Sequence, residues 1–270
     1  MILITYVKFN PESSYDICAL LKVNERYSLA ILESDGFFTD IRDSEWKRMK
    51  RRQKESKDCM RQCEQEQPHA WYQNNFEPTF TCQHESRIGN LGDGGKWVCD
   101  PHRIPKDKCL IYSIGSANIF NFENAVYKEI SKTCEIHTFD PSVGAKPSNL
   151  PNYVKFHPWG LGSKSETSSK GWAMKSMADI LSILGHQNRT IDILKIDCEG
   201  CEWTTYEQFN GYPYIRQILI ELHGITKAKD LLSSMKQRGY VTFHKEPNTK
   251  GCRGNCIEYA FIHLNKKFFT

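Results

Sequence analysis

The sequence predicts an α/β fold: a mostly parallel sheet with helices on both faces and an antiparallel hairpin at its carboxyl end. Three observations carry this. Apolar runs of strand length recur from Leu110 onward. Segments with apolar residues at helical spacing separate them. The last two runs, Tyr240 to His244 and Ile257 to Leu264, are joined only by the turn-rich stretch Pro247 to Asn255.

Leu110 to Ile114 is apolar and stops at Gly115, as a buried parallel strand should. Phe122, Val126 and Ile130 then mark one face of a helix over 120–130. Ile136 to Phe139 is the second strand and ends at Asp140-Pro141. Tyr153 to Phe156 is the third, broken by His157-Pro158-Trp159-Gly160. Ala173, Met174, Met177, Ile180, Leu181 and Leu184 have the spacing of a second helix. Ile191 to Ile196 is the fourth strand, and Ile215 to Leu222 is the fifth. Ala228, Leu231, Leu232 and Met235 form the apolar face of a third helix.

The 270 residues are 39% hydrophobic and 25% charged, which excludes a disordered chain, a collagen-like chain and a polytopic membrane protein. No apolar stretch reaches the roughly 18 to 20 residues of a spanning helix. The first residues lack a basic head and apolar block, so the expectation is a cytoplasmic protein or a chain without its targeting segment. Residues 42 to 61 carry nine Lys or Arg against four acids. Trp46 alone is aromatic in that run, which is not the repeated aromatic interleaving of a nucleic-acid groove, so a nucleic-acid partner is not favoured. It reads as an exposed helix with few apolar anchors. Residues 1–75 are therefore taken as an N-terminal extension and 76–270 as the main domain, with 76–108 a loop-rich lead-in.

Eleven cysteines favour disulfides, and with them a secretory lumen or secretion over the cytoplasm. The sequon Asn188-Arg189-Thr190 agrees with this. Cys59/Cys63, Cys198/Cys201 and Cys252/Cys256 are close in sequence. Cys109 and Cys134 each precede a strand of one neighbouring pair, so they are expected to bridge.

In such sheets ligands bind at the carboxyl ends of the strands. Gly115-Ser116-Ala117-Asn118 follows the first strand and lets the backbone approach a ligand. Asp140 follows the second and is placed to accept hydrogen bonds from ribose hydroxyls. The fourth strand runs into Asp197-Cys198-Glu199-Gly200-Cys201-Glu202, and the fifth delivers Glu221 and His223 to one face. Asp197, Glu199, Glu221 and His223 are thus expected around one cleft. They suit a general base, and Asp197, Glu221 and His223 suit a divalent cation. Within this group, Glu221 pairing with Lys195 is the plain structural alternative.

These residues, with Gly92-Asp93-Gly94-Gly95-Lys96-Trp97-Val98-Cys99-Asp100-Pro101, Tyr112-Ser113-Ile114-Gly115, His137-Thr138-Phe139-Asp140-Pro141, Asp192 to Glu202 and Ile220-Glu221-Leu222-His223, carry a resemblance. The chain resembles S-adenosylmethionine-dependent methyltransferases of the FkbM type, in their animal methyltransferase-like branch. The resemblance runs from about Phe76 to the end. It implies a seven-stranded class I methyltransferase (Rossmann-like) sheet. It places the methionine part of the cofactor at Gly115, Ser116 and Asn118, its ribose at Asp140 and its adenine near Trp159, Gly160 and Leu161. It also implies O-methylation of a glycan or small-molecule hydroxyl, with His223, Asp197, Glu221 and Glu199 as catalytic residues and His223 as the base. Should His223 fail, Asp93, Lys96 and Asp100 are the next candidates. Ser116-Ala117-Asn118 stands where many methyltransferases carry a second glycine, which keeps two other readings open. One is a degenerate methyltransferase fold used for binding. The other is a disulfide-rich luminal interaction domain.

Overall fold

The computed structural model describes residues 27–56, 67–145, 147–209 and 214–270. Cys18, Cys59, Cys63 and the basic residues Lys57 and Arg61 lie outside them. The helices are α1 (Ser28–Glu33), α2 (Asp43–Glu55), α3 (Pro68–Asn74), α4 (Asn121–Ala125), α5 (Met177–Leu184), α6 (Glu202–Thr205) and α7 (Ala228–Gln237). The lead-in forms a hairpin of β1 (Glu85–Ile88) and β2 (Lys96–Cys99). The main sheet is built from β3 (Leu110–Ile114), β4 (Glu135–Phe139), β5 (Val154–His157), β9 (Ile191–Ile196), β10 (Ile215–His223), β11 (Tyr240–Asn248) and β12 (Cys256–His263). Short strands β6 (Gly160–Leu161), β7 (Glu166–Thr167) and β8 (Ala173–Lys175) make a small separate sheet.

The seven strands follow the order β11-β12-β10-β9-β3-β4-β5. Neighbours from β10 to β5 pair in parallel, while β12 runs antiparallel to both β10 and β11. This is the seven-stranded class I arrangement that the resemblance implied. The order turns about β3 and β9, so the crevice for a ligand opens at their carboxyl ends. Both central strands are buried along their whole length, as strands covered on both faces must be. Ile111 and Ile193 face one core cluster, and Tyr112 and Leu194 face the other.

Two elements differ from the expectation. The helix foreseen from Ala173 begins at Met177, because Ser176 caps it by accepting the Asp179 amide at 3.2 Å. Residues 173–175 pair instead with β6 and β7. The basic helix α2 is also not held loosely. Trp46 is fully buried among Phe38, Phe80 and Phe268, and its Nε1 donates to Glu33 at 2.6 Å. One aromatic residue anchors the helix where periodicity showed no apolar stripe.

Among the described residues, four disulfides join Cys82–Cys99, Cys109–Cys134, Cys198–Cys201 and Cys252–Cys256. The expected bridge between the starts of β3 and β4 spans 4.6 Å between Cα atoms. Cys82–Cys99 was not anticipated; it ties the approach to β1 onto the end of β2. No helix among the described residues is long and apolar enough to cross a membrane.

Candidate active site

The turn after β3 is shaped by close backbone approach. Gly115 has φ +86°, and a Cβ there would lie 1.7 Å from the Asp197 carbonyl oxygen. Only glycine lets the ends of β3 and β9 come so near. Ala117 and Asn118 follow in left-handed conformations, with φ +47° and +62°. Asp140 holds this turn. Its Oδ2 accepts from the Ser116 amide at 2.8 Å, the Ser116 hydroxyl at 3.1 Å and the Ala117 amide at 2.8 Å. Its Oδ1 accepts from the amide and hydroxyl of Ser142. Burial opposes ionisation, but these donors outweigh it and hold the carboxyl below its usual range.

A cavity of 530 Å³ opens in front of this turn. Gly115, Ser116, Asp140, Gly160 and Leu161 line it on one side, and Asp197, Glu199 and Glu221 on another. A cradle without a Cβ, a carboxylate at the next strand end and a space of this size fit a nucleoside cofactor. Three expected residues sit elsewhere: Trp159, which is not in the wall and packs against the His157 ring with centroids 4.8 Å apart, Asn118 and His223. Asn118 is not in the wall; its amide donates to Ser148 at 3.2 Å. His223 is not in the wall either and stands behind Glu199.

His223 is fixed by Glu202, whose Oε1 takes the His223 amide at 2.9 Å and lies 3.0 Å from its Nδ1. Its Nε2 lies 3.3 Å from Glu199 and is buried without a hydrogen-bond partner. Burial would lower the ring's pKa. The hydrogen bond and charge of Glu202, joined by Glu199 and Glu221, outweigh burial and raise it to about 9. The ring is then an imidazolium at neutral pH, which alters the base expected from the sequence: it already holds its proton.

Lys96, from β2, was foreseen only as a fallback, yet it occupies the centre. Its Nζ lies 3.2 Å from Asp197, 3.4 Å from Glu221 and in contact with Glu258. Burial would lower its pKa, but the fields of Glu258, Asp197 and Glu221 keep the ammonium charged above its ordinary value. Glu221 therefore pairs with Lys96, and not with Lys195. Lys195 donates to the Gly115 carbonyl at 2.8 Å and lies 3.8 Å from Asp197. Burial raises the Asp197 pKa, but Lys96, Lys195 and His223 bring it down to about 2. Asn248 donates to both Asp93 at 3.0 Å and Glu221 at 2.9 Å, which brings the lead-in loop to the end of β10. Asp100 is buried and serves structure: it accepts from the His84 amide at 2.6 Å and from Arg103 at 2.8 Å.

The sequence reading missed Glu258 and Asn248. Their one signal was an acid inside an otherwise apolar final strand and an amide at the end of the strand before it. Cys198 and Cys252 also line the cavity, so two disulfides brace its wall.

A family model described as "Methyltransferase domain" matches residues 28–263. The "Probable methyltransferase-like protein 24" of Homo sapiens is 28% identical over 131 residues, covering 45% of this chain and 34% of that protein. Its Rattus norvegicus counterpart is 27% identical over 133 residues, covering 45% of this chain and 35% of that protein. The matched region thus spans about a third of the length of these relatives. Among solved structures, the methyltransferase FkbM from Methylobacillus flagellatus KT aligns with a TM-score of 0.39 and 12% identity, over 57% of this chain and 44% of that one.

Proposed function

The chain belongs to the methyltransferase-domain family, and on that premise we propose that it transfers the methyl group of S-adenosylmethionine to a hydroxyl of a glycan or small molecule. The observation that carries this reading is one cavity lined by two unlike groups of residues. One wall has the glycine cradle with Ser116, Asp140, Gly160 and Leu161; the other has Asp197, Glu199 and Glu221. The first wall suits an adenosyl group, with Asp140 for the ribose hydroxyls. The second suits the sulfonium and a hydroxyl nucleophile.

When bound, S-adenosylmethionine supplies an activated methyl group, so the protein has only to align the acceptor and take its proton. His223 holds its own proton, so we assign the acceptor proton to a carboxylate of the second wall. Asp197 is tied to Lys96, and Glu221 to Lys96 and Asn248. Glu199 has an 83% exposed side chain at the cavity and, among the described residues, His223 as its ion-pair partner at 3.3 Å. Glu199 is therefore the proton acceptor in this reading, and His223 orients it.

Asp197, Glu199 and the unpartnered Nε2 of His223 also converge within 4.8 Å, which suits a divalent cation with Glu202 orienting the ring from behind. Such an ion would displace the proton on that ring. The disulfides Cys82–Cys99, Cys109–Cys134, Cys198–Cys201 and Cys252–Cys256 support an oxidising compartment, a secretory lumen or the exterior, in this reading.

The test is calorimetric titration with S-adenosylhomocysteine, followed by methyl-transfer assays on glycan hydroxyl acceptors with and without chelator. Saturable binding and turnover support the proposal, and loss of turnover with chelator assigns the cation. Absence of binding overturns the enzyme reading and leaves the degenerate binding module.

A further inference from the structure

Glu221, Glu258 and Glu246 stand abreast. Glu221 is directly opposite Glu258 across β10 and β12, and Glu258 is directly opposite Glu246 across β12 and β11. Residues directly opposite in antiparallel strands share a face, and like charges so placed repel. The β1–β2 hairpin brings two cations to this row. Arg87 pairs with Glu246, and Lys96 inserts between Glu221 and Glu258. Lys96 also reaches Asp197 at the end of β9.

Three carboxylates therefore meet one ammonium whose side chain is 2% exposed. Lys195, 3.8 Å from Asp197, is the next cation. Glu258 keeps one oxygen, Oε2, buried without a partner. Burial above all, with the charges of Glu221 and Asp197, pushes the Glu258 carboxyl up to about 8, so at neutral pH the buried ammonium of Lys96 answers chiefly to Asp197 and Glu221, the two members of the cluster that reach the cavity.

We propose that Lys96 is a positioning residue for methyl transfer: it gathers Asp197 and Glu221 at the cavity wall and sets how much negative charge they turn toward the cofactor's sulfonium. The inference rests on the methyl-transfer reading. Its chemical consequence is selective. S-adenosylmethionine carries a sulfonium cation, whereas S-adenosylhomocysteine carries a neutral thioether, and the two are otherwise alike. A wall of net negative charge favours the reactant over the product. Lys96 moderates that preference by neutralising part of the wall.

The experiment measures dissociation constants for both molecules, by calorimetry, on the wild-type protein and three variants. Lys96→Gln removes the charge and keeps a hydrogen-bonding head; Lys96→Met removes both; Lys96→Arg restores the charge. Melting temperatures are recorded on the same samples. The expected result is a preference for S-adenosylmethionine that rises at least fivefold in Lys96→Gln or Lys96→Met and returns to within twofold in Lys96→Arg. Lys96→Gln is the decisive variant if Lys96→Met fails to fold. An unchanged ratio with a lowered melting temperature makes Lys96 a structural ion-pair partner only and overturns the inference. So does a shift toward S-adenosylhomocysteine. If the wild-type protein binds neither molecule, the methyl-transfer reading itself has failed.

Discussion

Among the described residues, two polar clusters look alike by composition and differ in how they are satisfied. One surrounds Lys96 at the carboxyl ends of β9 and β10. The other surrounds Glu135 at the start of β4. There Glu135 meets Arg189 and Lys155, and lies 3.1 Å from His137 Nε2. His137 Nδ1 is 2.8 Å from His157, and the Tyr112 hydroxyl is 2.8 Å or less, at 2.7 Å, from His186 Nδ1. Glu135, His137 and His186 converge closely enough to suggest a metal site. Yet among the described residues none of their buried polar atoms is unpartnered, and two cations already neutralise the one carboxylate. The Lys96 cluster gathers Asp197, Glu221 and Glu258 around one ammonium, has a Glu258 oxygen and a neighbouring His223 nitrogen without hydrogen bonds, and opens on the cavity. Residue types alone do not mark a site. Unmet charge and unmet hydrogen bonds beside a cavity do.

The comparison can be broken first at its functional side. Asp197→Asn should lower methyl-transfer turnover on the order of a hundredfold, as loss of a placed charge does, with a fall in melting temperature from the lost pairing with Lys96 and Lys195 that is too small to unfold the protein under assay conditions. A variant with normal turnover would put the Lys96 cluster in the same class as the Glu135 cluster. Next in size, Asp140→Ala should weaken S-adenosylhomocysteine binding by about 1.5 to 3 kcal/mol, the scale of charge-assisted hydrogen bonds. Part of that loss comes from releasing the Ser116–Ala117 turn. A calorimetric Kd equal to wild type would remove Asp140 from the cofactor wall.

On the structural side, Glu135→Gln should cost about 1 to 2 kcal/mol, because the carboxylate is partly open to solvent. That corresponds to a melting-temperature loss of roughly 2 to 8 °C, with cofactor affinity unchanged. A weakened Kd there would break the distinction between the clusters.

The smallest effect concerns pH. Burial, first of all, lowers the pKa of His137 and His157 from 6.5 to about 4. The unfolded chain then binds more protons between these values, so stability is full above about pH 6.5 and is lost as pH falls toward 4. His157→Gln removes one of the two groups, and the fall in melting temperature across that window should become shallower. An unchanged slope would show that the pair does not govern acid stability.

Much of the fold was legible because buried parallel strands are written locally, as apolar runs with stops at Gly115, Asp140 and Asp197. The Cys109–Cys134 bridge followed from strand adjacency. The wall formed by Asp197, Glu199 and Glu221 followed from the same rule, that strand ends gather ligands. What stayed hidden depends on register between distant segments. Glu258 meets Glu221 only because β12 inserts between β10 and β11 with that alignment. Lys96 reaches them only because a hairpin 101 residues before Asp197 folds over the sheet. His223 read as a base because its neighbours were seen as partners in a cleft; Glu202, hidden at the start of α6, makes it a cation instead.

The central claim is that the glycine turn and the carboxylate wall form one cofactor site. It is tested most directly by a crystal structure of the protein grown with S-adenosylhomocysteine. The account predicts density in the cavity, with the ribose hydroxyls on Asp140, the adenine beside Gly160 and Leu161, and the sulfur facing Asp197 and Glu221. Binding at another place, or an empty cavity at saturating ligand, would contradict it.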